Sequence, residues 1–157
     1  MHRHATIADL KFIYDLIIDG SKNGHYDRRF SEMPEAANGL QVNLTSILTQ
    51  KIRHDGQIAY GIIYEYQNKP VGFVIMAAVK NNKGNEIWMA SIHPDFRKQG
   101  FGKKMITGIF DQFKGKNLIL MARCAQESKV MYQMLLKNGF KHYDTGKEGY
   151  RVLSYEL

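Results

Sequence analysis

Cysteine is almost missing from this chain: one residue, Cys124, stands among 157, so no disulfide can form within it. That scarcity fits a reducing compartment, and a cytoplasmic location is expected. Prolines are few, at Pro34, Pro70 and Pro94, so each marks a local break in an otherwise uninterrupted chain. Long apolar runs are absent too. The longest, Val71 to Val79, is far too short to span a bilayer, and no membrane segment is expected. Asp9 and Lys11 interrupt the first apolar segment, which therefore does not read as a signal peptide. Acidic residues are the minority, 15 against 22 Lys and Arg, and the net charge of +7 suits an anionic ligand or an acidic partner. No basic helix with interleaved aromatics is present, so nucleic acid is not an expected partner. The six histidines, His2, His4, His25, His54, His93 and His142, show no ligand spacing, and no metal is expected. Repeats, low-complexity tracts and linkers are lacking. Residues 1–157 are expected to form a single domain.

What is present is a regular alternation of patterns. Met1 to Ala5 reads as a short strand. Thr6 with Asp9 three residues on starts a helix whose apolar stripe is Leu10, Ile13, Leu16 and Ile17, with Gly20 at its end. Ser21 to Asn38 is polar and reads as a long loop with a helical turn near Pro34. Leu44, Ile47, Leu48 and Ile52 form a second helix, closed by Asp55-Gly56. Ile58 to Tyr66 and Val71 to Lys80 read as strands joined by Gln67-Asn68-Lys69-Pro70. The second is apolar at nearly every position and is expected at the sheet centre. Asn81 to Gly84 makes the next turn. Beyond residue 104 come a helix (Met105, Ile106, Ile109, Phe110, Phe113), a buried strand (Leu118 to Arg123), and a helix with Met131, Met134 and Leu135 inward. Two last strands, Phe140 to Tyr143 and Tyr150 to Tyr155, turn at Gly146 to Gly149. The expected class is α/β (α+β): a mixed, mostly antiparallel sheet of about seven strands flanked by four helices.

The chemistry concentrates between Asn85 and Lys104. The strand here puts Ile87, Met89 and Ser91 on one face and Trp88, Ala90 and Ile92 on the other. His93-Pro94-Asp95 ends it, and Arg97 to Gly102 follows as a glycine turn into a helix. The first N–H groups of a helix have no internal partners and the dipole is positive there, so strand, glycine turn, helix is an anion-binding arrangement. Gly100 and Gly102 let backbone approach a ligand closely. A P-loop is excluded, because Gly102-Lys103-Lys104-Met105 has neither its spacing nor its Lys-Ser/Thr. A dinucleotide fingerprint is excluded because Met105 stands where its third glycine belongs.

On these residues the chain resembles the GNAT superfamily of N-acetyltransferases over nearly its whole length. The family's signature, Arg/Gln-x-x-Gly-x-Gly/Ala, stands here as Arg97-Lys98-Gln99-Gly100-Phe101-Gly102, after a strand ending Ile92-His93-Pro94. Asn68-Lys69-Pro70-Val71-Gly72-Phe73 is similar to the family's turn into its third strand, and Gly139-Phe140 to the end of its last helix. The resemblance implies acetyl-CoA as cosubstrate. Backbone N–H groups from Gln99 to Lys103 would cradle its pyrophosphate, with Arg97, Lys98, Lys103 and Lys104 adding charge. Met89 to Ile92 would line the pantetheine in a gap between two splayed parallel strands, with the backbone of Ile92 bonding it and an amide near Ala90 polarising the thioester.

Transfer to an amine requires a proton to leave first. Freeing an aliphatic amine from a pKa near 10.4 costs about 4.6 kcal/mol at pH 7. Glu86 matches the position of the catalytic glutamate in the histone-acetylating branch, and its alternative role is a strand-end carboxylate paired with a lysine. Many members carry a Tyr four residues before the Gly of Gly-Phe as general acid. Here that position is Leu135, and Tyr132 lies one turn earlier as the substitute candidate or as a packing residue. Ser128 stands where members often have an Asn that contacts CoA, and a helix cap is its other reading. Cys124 reads as core. The acceptor, a small-molecule or peptide amine, would be chosen by Ser21 to Asn38 and Thr145 to Tyr150; a strongly cationic polyamine fits the basic surface poorly. Transfer to protein or aminoacyl-tRNA, or a CoA-binding module without turnover, are the alternatives. Family members commonly form homodimers.

Overall fold

The computed structural model describes residues 1–80, 84–146 and 149–156. Its central strand is β3 (Lys69–Ala78), buried without interruption from Val71 to Ala77. An apolar run of that length is stable only where both faces are covered. On one side β3 pairs antiparallel with β2 (Ala59–Tyr66) through a tight turn. Gln67 and Asn68 there have φ of 51° and 62°, as a two-residue hairpin loop requires. The short β1 (His2–His4) lies on the outer edge of β2. On the other side β4 (Gly84–Ile92) pairs antiparallel with β3, and β5 (Ile119–Cys124) pairs parallel with β4. The last two strands are β6 (Lys141–Thr145) and β7 (Arg151–Glu156), and the sheet order is β1-β2-β3-β4-β5-β7-β6.

Four long helices and one single turn cover the sheet: α1 (Leu10–Lys22), the turn α2 (Arg29–Glu32), α3 (Pro34–Gln50), α4 (Phe101–Phe113) and α5 (Lys129–Lys137). α1 and α3 bury Ile13, Ile17, Leu44 and Ile47 against Phe73 and Ile75. α4 and α5 bury Met105, Ile106, Ile109 and Leu135 against Val74, Met76 and Leu120. The fold class is thus as expected: a mixed, mostly antiparallel seven-stranded sheet with four long helices.

Several local expectations are corrected. α1 does not stop at Gly20 but runs to Lys22. Gly20 is there for space: a Cβ would lie 2.7 Å from the Tyr26 ring. The expected loop from Ser21 to Asn38 shrinks, because Pro34 opens α3 from its first turn, where its missing N–H costs nothing. α3 ends at Gln50, with Lys51 in the left-handed region at φ 58°. Ile52 is therefore outside the helix, 43% exposed, and bridges Ile58 instead. The turn at Asn81, Asn82 and Lys83, and Lys147 and Glu148 of the last turn, lie outside the described residues.

Candidate active site

β4 and β5 pair only from Gly84↔Ile119 to Ile87↔Ala122. Beyond that point β4 stays with β3 as far as Gly72↔Ile92, while β5 stays with β7 as far as Cys124↔Arg151. The two parallel strands therefore part, leaving the stretch from Trp88 to Ile92 without a strand partner on the β5 side. A bulge sits at the parting. Ile75 pairs Met89 and Met76 pairs Ile87, so Trp88 is the extra residue. This overturns the strict alternation expected for the strand. Ile87 joins the core under α4, whereas Met89 joins the core under α1 and α3. Ala90 and Ile92 then return to the α4 side.

At the open end of the gap the glycine turn leads into α4. Gly100 caps the helix at φ 81°, ψ 4°, with open space where a Cβ would be. Lys98 is also left-handed, at φ 60°, which costs a non-glycine residue about 1–2 kcal/mol. Strain of this kind persists where the surroundings enforce it, often at ligand sites. The N–H groups of Gln99, Gly100, Phe101, Gly102 and Lys103 make no backbone hydrogen bond among the described residues. Phe101 plants its ring in the core beside Tyr66 and Phe96, which holds the turn in place. Lys98, Lys103 and Lys104 are exposed. A groove of about 670 Å³ runs beside them, lined by Gly100, Lys103, Lys104, His2 and Tyr64 among others. Arg97 instead folds back: its Nε donates to the Ile92 carbonyl at 2.9 Å and its Nη2 lies 3.8 Å from Asp19. A carbonyl oxygen has two lone pairs, so Ile92 keeps one for another donor.

Glu86 sits on the opposite face, paired across from Ala77 in the core under α1 and α3. It is 8% exposed. Arg123 Nε lies 3.3 Å and Arg53 Nη1 4.0 Å from its carboxylate. Burial raises its pKa above the ordinary carboxylate value, and the two guanidiniums offset part of that rise. The partners are arginines, not the lysine envisaged from sequence. Arg53 is itself fixed by Asp55 at 2.7 Å and by the Trp88 ring 5.0 Å away. β5, expected to be a buried strand, is covered on one face only. Leu120, Ala122 and Cys124 are buried, while Ile119 and Arg123 are exposed.

The segment between α1 and α2 touches both walls of the gap. Tyr26 donates its hydroxyl to the Ala90 carbonyl at 2.7 Å and meets Ser91, and burial of that end pushes its pKa to about 12. His25 meets the Ser128 hydroxyl at 2.8 Å, and Arg28 lies 3.9 Å from Glu127. Ser128 is thus tied to His25 and makes no side-chain cap for α5, contrary to its cap reading.

On the α5 side, Leu135 is 1% exposed within the core. Tyr132 is half-buried, with its hydroxyl 3.0 Å from His142 Nδ1 and the Arg151 guanidinium stacked 3.8 Å over its ring. Cys124 is buried, which pushes its thiol up to about 11, as befits a core residue. Among the described residues no group of His, Cys, Asp and Glu comes together to hold a metal ion. No helix among them is long and apolar enough to cross a membrane.

Residues 24–140, which span the gap, the glycine turn and both of its walls, match the Acetyltransferase (GNAT) family. The chain belongs to the GNAT family. No curated protein matches the sequence. Solved structures match the fold. An N-acetyltransferase from Staphylococcus aureus Mu50 superposes with a TM-score of 0.74 at 13% identity, covering 99% of this chain and 100% of its own. A ribosomal-protein-alanine N-acetyltransferase from Brucella melitensis gives 0.71 at 16%, covering 100% and 99%. A paiA N-acetyltransferase from Thermoplasma acidophilum in complex with coenzyme A gives 0.69 at 15%, covering 100% and 98%. At these identities the likeness is one of fold.

Within this GNAT fold the residues Ile92 and Gln99 to Lys103 come together at the open end of the gap, and Arg97 covers it. Glu86 and Tyr132 lie on opposite faces, one on each side of the parting strands. Sequence reasoning missed Arg53, Arg123 and the anchoring role of Tyr26. Only the alternation along β5 hinted at Arg123, since it stands between Ala122 and Cys124.

Proposed function

We propose that residues 1–157 act as one acetyltransferase domain that moves an acetyl group from acetyl-CoA to a primary amine by direct transfer in a ternary complex. The observation that carries this reading is the parting of β4 and β5, with a glycine turn at its open end whose five successive N–H groups make no backbone hydrogen bond among the described residues. An anion bound there gains those hydrogen bonds and the helix dipole together. Acetyl-CoA supplies the activated thioester. The chain supplies the rest. Gln99 to Lys103 hold the pyrophosphate, the groove beside Lys103 and Lys104 takes the nucleotide end, and Ile92 keeps the pantetheine in the gap. Ser128, held by His25, stands at the edge of that gap, and Arg97 braces its mouth through the Ile92 carbonyl. A backbone N–H of the strand edge near Ala90 polarises the thioester carbonyl. Glu86, buried and raised in pKa, takes the proton from the incoming amine, and Tyr132 returns one to the departing thiolate. Holding amine and thioester together accounts for a large share of the rate, up to about 7–11 kcal/mol in well-oriented cases. A single buried cysteine supports a cytoplasmic setting.

The test is thermal unfolding with acetyl-CoA, free CoA and ATP, followed by release of CoA thiol against an amine panel. At a hundred times its dissociation constant a ligand adds about 2.7 kcal/mol. For a chain of this size that is roughly 5–10 °C. Protection by acetyl-CoA and CoA but not by ATP is expected. No protection at saturation overturns the cofactor site. Protection without turnover of any amine or peptide turns the reading toward a CoA-binding module, which the burial of Leu135 at the family's tyrosine position would favour.

A further inference from the structure

We infer that the acceptor is a small molecule carrying a carboxylate close to its amine, an amino acid or similar aminocarboxylate, and that Arg123 reads the carboxylate. This rests on the acetyltransferase reading above.

The guanidiniums near the gap differ in how much of their hydrogen-bonding capacity is spent. Arg53 is 11% exposed and gives Nε and Nη2 to Asp55, at 3.0 and 2.7 Å. Arg28 lies against Glu127. Arg151 is on the other face, stacked on Tyr132 and aimed at the carbonyls of Ala125 and Gln126. Arg123 is different. Its Nε faces Glu86 at 3.3 Å, its side chain is 62% exposed, and among the described residues neither Nη has a partner. A guanidinium with both Nη groups free offers two parallel N–H donors in the spacing a carboxylate accepts.

The position fits the reaction. Glu86 pairs with Met121 and Ile87 with Ala122, so Arg123 is level with Trp88 at the start of the gap. Ala90, beside the expected thioester, is two residues farther along, about 7 Å at ~3.3 Å per residue. An amine beside Ala90 and a carboxylate on the end of the Arg123 side chain are then only a few ångströms apart, which one small molecule spans. The local charges agree. Glu86 and Asp55 balance Arg53 and Arg123, so a zwitterion enters a neutral site, whereas a second ammonium would meet the free guanidinium. The rival role for Arg123 is that of a counterion to Glu86 alone.

The experiment uses matched acceptors, several amino acids each with its amide and its decarboxylated amine, at saturating acetyl-CoA and on the pH plateau. The carboxylate member is expected to be preferred by about 10- to 100-fold in kcat/KM, the range of one good charge-assisted pair. Arg123→Gln is expected to abolish the preference by raising KM for the carboxylate acceptors. Arg123→Lys, which keeps the charge and loses the fork, retains part of it. Protection by acetyl-CoA against unfolding stays unchanged in both variants. Equal or better use of amides, amines or peptides by the unaltered protein overturns the inference. So does an equal loss on all acceptors in Arg123→Gln, the outcome for a counterion. If acetyl-CoA protects the fold but nothing is acetylated, the same pairs are compared for added protection of the CoA-loaded protein, and equal protection by both members overturns it. Failure of acetyl-CoA itself to protect instead overturns the acetyltransferase reading.

Discussion

Glu86, the proposed base, takes its character from the residues packed around it. Its burial raises the pKa while Arg123 and Arg53 pull it back, so the balance depends on residues from β5 and from the segment after α3. A base acts when deprotonated. The acid limb of kcat/KM is therefore expected above the ordinary carboxylate range, with activity rising as pH rises through it. Arg123→Gln removes a lowering influence and should move that limb to higher pH; movement to lower pH would contradict the assignment. Glu86→Gln should lower kcat by about 10²- to 10⁴-fold while protection by acetyl-CoA is kept. Tyr132 is the proposed proton donor. Tyr132→Phe keeps the ring under Arg151 and loses only the hydroxyl, so a fall in kcat of at least about tenfold is expected from a proton donor. An unchanged kcat would leave Tyr132 as a packing residue with His142 as its partner.

Among the elements, the start of α4 carries the sharpest prediction, because its two glycines serve different ends. Gly100 is left-handed, whereas a Cβ on Gly102 would rest 3.8 Å from Ile92 in ordinary contact. Gly100→Ala should cost about 1–2 kcal/mol in stability and weaken CoA protection. Gly102→Ala should leave the stability nearly unchanged. Urea unfolding and thermal shift measure this directly, and equal effects at the two positions would refute the distinction. Sequence made this turn legible, since spacing, flanking pattern and glycines all agreed. It did not make the bulge at Trp88 legible: alternation counts residues, and an extra one leaves no compositional mark. Gly20 misled for a related reason. Glycine ends helices, but it also admits a neighbour's ring, and only the position of Tyr26 decides between the two.

For the whole molecule, acid is the natural probe of what ties the pieces together. Asp9 holds Arg3 of β1 and the Thr6 N–H at the start of α1, with contacts of 2.8–2.9 Å. Arg3 and the hydrogen bonds hold its carboxyl below the usual range. Arg29 does the same for Asp27, and Arg53 brings Asp55 down to about 2. Each binds fewer protons folded than unfolded. The stability they lend is present above the ordinary carboxylate range and is lost as pH falls through it toward about 2. The urea midpoint should therefore drop steeply between about pH 4 and 2, and Asp9→Asn should flatten part of that drop. A midpoint that is level across this range would show these pairs to be energetically silent, as exposed ion pairs often are.

By itself the sequence determined what short-range pattern can encode: seven strands, four helices, the burial of β3, the glycine turn before α4 and the membership that follows from them. These are properties of periodicity and of a few residues with special backbone geometry. Tertiary structure alone decided the rest. It inserted β7 between β5 and β6, let β4 and β5 part after four pairs, and brought Tyr26 from the first third of the chain onto Ala90. It also set Arg53 and Arg123, seventy residues apart in sequence, around one buried carboxylate. A charge's partners depend on which surfaces the sheet brings together, and no local pattern carries that information.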